Sequence, residues 1–189
     1  MTRVLVINGH PDPRPQRLCA ALADAYRDGA ARGGHDVRRL DVGDLDFPLL
    51  RDADAFVAEP PPDIVAAQDA IAWAQHVVII LPLWHGGAPA LLKGFVEQVF
   101  RYGFALTAEI KHWPPGMLGG RSARLVVTMG MPGVIYRWIF GAFGIRSIER
   151  SVLRMAGFGP VRRSLLGAVG PGSAAGMIRR LHDLGLRAG

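Results

Sequence analysis

His76-Val77-Val78-Ile79-Ile80-Leu81-Pro82-Leu83 is almost continuously apolar, with none of the alternation that marks a strand facing water on one side. Such a run is buried on both faces, as inner strands of parallel sheets are. A membrane span needs roughly 20 apolar residues, so this stretch is strand-sized. Parallel strands must be joined by crossovers, usually helices. Helical patterns stand on either side of it. Upstream, Asp63 to Gln75 carries Ile64, Ala67 and Ile71 on one stripe, with Pro61 and Pro62 at its entrance. Downstream, Trp84-His85-Gly86-Gly87-Ala88 makes a tight loop, and Pro89 opens a helix through about Tyr102 with Leu91, Leu92, Phe95, Val96 and Val99 inward. Further out, Arg3 to Asn8 reads as a strand and Gln16 to Arg32 as a helix stopped by Gly33-Gly34. Asp36 to Asp41 reads as a half-buried strand and Gly43 to Pro62 as a long loop. Arg124 to Met129 and Val161 to Val169 are the last strands. A helical segment from Ile135 to Met155, broken near Gly144, lies between them, and Gly172 to Leu186 closes the chain. Strand then helix, five times, predicts an open α/β sheet with crossovers on both faces.

The chain has 189 residues, half of them apolar, which suits a single domain spanning 1–189. Its one cysteine, Cys19, forms no internal bridge and fits a reducing cytoplasm. Met1-Thr2-Arg3 followed at once by Val4 lacks the pattern of a secretory signal, so a cytoplasmic location is expected. The net charge of +6 is uneven: the first hundred residues carry 9 basic and 13 acidic groups, the remainder 13 and 3. Such a field can attract nucleic acid, a membrane surface or an anionic small molecule. The basic residues are dispersed and no nucleic-acid motif accompanies them, so no nucleic-acid partner is expected. No histidine pair stands at metal-ligand spacing and no Gly-x-Ser-x-Gly elbow exists, which disfavours a metal site and a serine hydrolase.

In open α/β sheets ligands bind at the carboxyl ends of the strands, where strand order reverses. Three loops fall there. Gly9 to Gln16 leads into a helix N-terminus, whose free N–H groups and dipole suit a phosphate, with His10, Arg14 and Arg17 adding donors. It is neither a Walker loop nor a Gly-x-Gly-x-x-Gly fingerprint. Pro82 to Ala88 sets an aromatic beside glycines, which suits a flat ring against backbone. Thr128-Met129-Gly130 offers backbone donors with little obstruction. Together the loops describe a slot for a flat ring bearing a phosphate.

Asn8-Gly9-His10-Pro11-Asp12-Pro13, the stretch from Pro82 through Pro89-Ala90-Leu91-Leu92-Lys93-Gly94-Phe95 to Phe100, and Thr128-Met129-Gly130-Met131-Pro132 resemble the flavodoxin-fold NAD(P)H:quinone oxidoreductase family, including its potassium-efflux ancillary members. The resemblance runs over nearly the whole chain. It implies a doubly wound five-stranded parallel sheet in order 2-1-3-4-5, bound FMN with FAD as the alternative, and NAD(P)H as co-substrate. It further implies a quinone acceptor and a homodimer whose partner helps wall the site. It also allows a regulatory subunit docking on a membrane transporter. His10, Gln16, Arg17 and Leu18 are the residues expected at the phosphate. Pro82, Leu83, Trp84, His85 and Gly86 are expected along the ring, and Thr128, Met129 and Gly130 at its pyrimidine edge. Where family members carry Ser and Asn after the His-Pro, this chain has Pro15, Gln16, Arg17 and Leu18. His85 and Gly86 replace an aromatic pair. Tyr136 and His85 are the expected catalytic side chains, meeting negative charge on the ring. His112 and Trp113 could reach a partner's site; His76 and Cys19 read as structural.

Overall fold

The computed structural model describes residues 1–107 and 116–188. Five parallel strands, β1 (Arg3–Asn8), β2 (Asp36–Asp41), β3 (His76–Pro82), β4 (Ser122–Thr128) and β5 (Val161–Leu166), pair in the order β2-β1-β3-β4-β5. This is the expected doubly wound order. The reversal falls between β1 and β3, where Asn8 registers with Ile80. The helices are α1 (Leu18–Arg32), α2 (Ala53–Val57), α3 (Pro62–Trp73), α4 (Ala90–Val99), α5 (Gly133–Trp138), α6 (Phe143–Ser147) and α7 (Ala174–Leu186).

The apolar run deciphers itself by its alternation in space. Val77, Ile79 and Leu81 join the core under α3 and α4, while Val78 and Ile80 face the core under α1 and α7. All of β3 is buried, and complete burial of an aliphatic side chain is worth about 1.5–3 kcal/mol. Two cores on opposite faces therefore grip one strand.

One expectation changes. The loop after β2 contains a short 3₁₀ turn, Val42–Asp44, and the one-and-a-half-turn α2, whose N-cap Asp52 accepts a hydrogen bond from Ala55 N at 2.7 Å. The helical segment after β4 is broken near Gly144, as expected, at Gly141 and Ala142, which adopt left-handed φ values of 62° and 50°. An α-helix cannot pass through two such residues. Beyond α6 the chain continues as a π-helical stretch, Ile148–Arg154. Among the described residues, no helix is long and apolar enough to cross a membrane.

Candidate functional site

The three loops converge at the carboxyl edge of the sheet, and named contacts tie them pairwise. The His10 and Trp84 rings meet edge to face at 5.8 Å, joining the first loop to the second. Leu83 N donates to the Thr128 carbonyl at 2.8 Å, joining the second to the third. Cys19 Sγ lies 3.6 Å from Thr128 Oγ1, joining the third to the start of α1. Burial pushes the Cys19 thiol up to about 11, so it stays neutral and acts as packing.

The first loop is shaped by its own side chains. Asn8, fully buried, donates from Nδ2 to Asp41 Oδ1 at 2.8 Å and accepts from His10 N at 3.2 Å. His10 Nδ1 in turn accepts from Asp12 N at 2.9 Å, which fixes the ring's tautomer with its proton on Nε2. Partial burial lowers the pKa of His10. Both arginines expected at a phosphate are occupied: Asp12 takes Arg14 at 2.6 Å and Arg17 at 2.5 Å. The hydrogen bonds from Arg14 hold the Asp12 carboxyl well below the usual carboxylate range. Sequence reasoning counted Arg14 and Arg17 as free positive charge and overlooked Asp12, although Asp12, Arg14 and Arg17 stand close enough in sequence to announce a triad.

What the loop leaves open is backbone. The N–H groups of Leu18, Cys19 and Ala20 have no acceptor among the described residues, the N-cap Arg17 makes no side-chain cap, and the first turn of α1 contains no acid. Three donors and an uncompensated dipole end form an anion cradle. Leu18 belongs to it through its N–H, and Gln16 stands exposed at its rim.

The second loop is a two-residue hairpin. Trp84 N donates to Gly87 O at 3.0 Å and Gly87 N to Trp84 O at 2.9 Å, with His85 and Gly86 at φ values of 47° and 80°. Two positive φ angles in succession define a type I′ turn, strained at His85 and easy at Gly86. Two elements hold the turn from behind. Tyr136, fully buried, donates its hydroxyl to the Gly86 carbonyl at 2.8 Å. Gly144 of α6 packs so closely that a Cβ there would lie 2.3 Å from the Gly86 oxygen. Tyr136 thus braces the loop, its hydroxyl already engaged and its pKa raised by burial. Gly144 was legible only as a helix breaker. Pro82 is buried at the strand end, Leu83 half-buried, and His85 and Trp84 exposed.

In the third loop Thr128 and Met129 are buried, and Met129 N donates to Leu166 O at 3.0 Å. Gly130 is exposed and its N–H has no partner among the described residues, so it is the open donor of this loop. His76 lies at the opposite edge of the sheet and contacts Ser122 Oγ at 2.7 Å. His112 and Trp113 lie outside the described residues. Among those described, no cluster of His, Cys, Asp or Glu could hold a metal ion.

Residues 2–181 match the model of a family described as having a flavodoxin-like fold. The chain is 30% identical over 155 residues to a ribosyldihydronicotinamide dehydrogenase-like protein of Penicillium crustosum, covering 68% of this chain and 57% of that one. It is 25% identical over 187 residues to an FMN-dependent NADH:quinone oxidoreductase of Macrococcus caseolyticus, covering 81% and 87%. An NAD(P)H:quinone oxidoreductase structure from Methanothermobacter marburgensis superposes with a TM-score of 0.81 at 20% identity, covering 98% and 96% of the two chains, a likeness of fold. The chain spans 57%, 63% and 41% of the length of three curated relatives it matches.

Proposed function

The chain belongs to the flavodoxin-like family, and on that premise we propose that it is an FMN-dependent NAD(P)H:quinone oxidoreductase. The observation that carries the reading is the convergence, at one sheet edge, of the free N–H groups of Leu18, Cys19 and Ala20 with the second loop's braced turn and the open Gly130 N–H. The residues present fit the flavin. The cradle would hold its phosphate, Pro82 to Gly86 would border the ring, and Gly130 N–H would face the pyrimidine edge, where it offsets negative charge. FMN supplies two-electron hydride chemistry when bound. The protein's share is to bind, orient and keep the ring's edge in contact with fixed donors.

Because Asp12 engages both Arg14 and Arg17 and cancels one of their two charges, phosphate affinity rests mainly on backbone donors and the α1 dipole. His10 Nε2 and Gln16 are the side chains left to supplement them. FMN is favoured over FAD because the relatives whose names state a flavin are FMN-dependent. A homodimer, implied by the resemblance, would complete the outer wall of the slot, and a cytoplasmic location agrees with the buried single thiol. No observation on the fold or the loops favours docking on a membrane transporter.

The test is an absorbance spectrum of the purified protein with and without added flavin, followed by NADH and NADPH oxidation with soluble quinones. Stoichiometric FMN uptake and quinone-dependent turnover are expected. A protein that refuses both FMN and FAD overturns the reading.

A further inference from the structure

Next to the second loop, but outside the slot, lies a surface that the proposed chemistry does not use. Trp138, Ile139 and Phe143 are 74%, 74% and 73% exposed, and Val134 and Phe140 of the same ten residues are exposed as well. Single exposed apolar residues are ordinary on soluble proteins; five large ones on one short helical hairpin mark an interaction surface. Its neighbourhood is strongly basic.

Val134 and Trp138 also wall a cleft of about 730 Å³ between α5 and the free edge of β5. Five arginines line it, Arg124, Arg137, Arg154, Arg162 and Arg163, against one acid, Glu149. Glu149 is consumed by Arg154 at 2.9 Å and Arg163 at 3.0 Å. Arg137 and Arg162 pair with no carboxylate among the described residues, and Arg137 instead sits over the Trp138 ring at 5.3 Å. Arg124, 7% exposed, donates to Ser164 Oγ at 2.8 Å while its Nε has no partner there. Arg124 is buried and the other four are exposed, so the cleft presents a cluster of guanidinium groups that phosphate oxygens can pair with.

The partner must therefore be apolar and anionic at once. A second copy of this chain docked by the same face would set arginines against arginines, because an isologous contact pairs a patch with itself. We propose that the α5–α6 face docks the protein on an anionic phospholipid bilayer. Trp138, Phe140 and Phe143 enter the boundary between headgroups and acyl chains, and the arginines of the cleft take lipid phosphates. Docking there brings Trp84 and the second loop to the interface where a lipid-dissolved acceptor would arrive; that consequence rests on the quinone reductase reading, whereas the docking does not.

The experiment is co-sedimentation of the full chain with vesicles of equal parts phosphatidylglycerol and phosphatidylcholine, and with phosphatidylcholine alone. Binding to the mixed vesicles, weak binding to the neutral ones and loss with added salt are expected. R137Q combined with R162Q should lower the partition at least tenfold, since each arginine near an anionic surface counts for about fivefold. W138A combined with F143A should abolish binding at low salt, with unchanged far-UV circular dichroism and FMN uptake. No binding to mixed vesicles overturns the proposal. So does binding that W138A with F143A leaves intact, which would be simple adsorption of a basic protein. So does a dimer in sedimentation velocity that the same pair of substitutions dissociates, which would make this face a contact between copies. FMN uptake, measured in parallel, reports separately on the flavin reading.

Discussion

The first and second loops do comparable jobs at the same sheet edge and are held by opposite physics. Charge shapes the first: Asp12 sits between two guanidinium groups, at 2.6 Å and 2.5 Å. Packing shapes the second: a buried hydroxyl and a glycine press on a strained turn. Exposed ion pairs contribute little and fade with salt, whereas a misfit of a few tenths of an ångström against backbone is felt at once. The first loop should thus tolerate substitution and respond to solution conditions. The second should respond to volume.

The pH dependence of the whole fold sets the background for this contrast. His76, buried, has its pKa pushed down to about 4 from 6.5. A depressed histidine means that the unfolded chain binds more protons between those values, so stability is full above about pH 6.5 and falls as pH drops toward 4. The loss is on the order of 3 kcal/mol. Urea midpoints measured across that window should follow this slope, and H76Q should flatten it. Against that baseline, G144A is the severest local change, because its Cβ meets the Gly86 oxygen at 2.3 Å. Overpacking of this kind costs about 1–3 kcal/mol, and FMN affinity should fall with it; urea unfolding and a flavin titration read the two effects. Y136F strands the Gly86 carbonyl without its donor and should cost about 1–2 kcal/mol in the same assay, with the quinone KM moving more than the fold does if the turn borders the acceptor. D12N, the smallest in stability, should instead tighten FMN binding a few-fold and make it salt-dependent, since it releases Arg14 and Arg17 toward the cradle. Binding isotherms at two salt concentrations decide that point. If D12N proves as damaging as G144A, the first loop is a packed element too and the contrast fails.

Much of this was legible in the chain. The unbroken run from His76 to Leu83 disclosed an inner parallel strand, and the bounds of β1 and β2 agree with the sequence reading to the residue. Periodicity is a local property of the chain, so it survives translation into structure. The α5–α6 break falls near Gly144 as read, but its seat at Ala142 was not legible, because left-handed backbone there is imposed by its surroundings, alanine having no preference for it. The brief α2 was missed because five residues carry too little periodicity to detect.

At the site, composition and spacing by themselves placed three loops at one sheet edge and pointed to a flat-ring slot between them and an anion site at the start of α1. They fixed which residues stand near one another along the chain, and hence which donors the slot could recruit. Only the tertiary structure decided how those donors are spent. Asp12 takes both arginines, Tyr136 spends its hydroxyl on Gly86, and the backbone N–H groups of Leu18 to Ala20 are left without an acceptor among the described residues. A side chain's partner depends on distance in space across elements far apart in sequence, such as Tyr136 and Gly86. No local pattern encodes that distance.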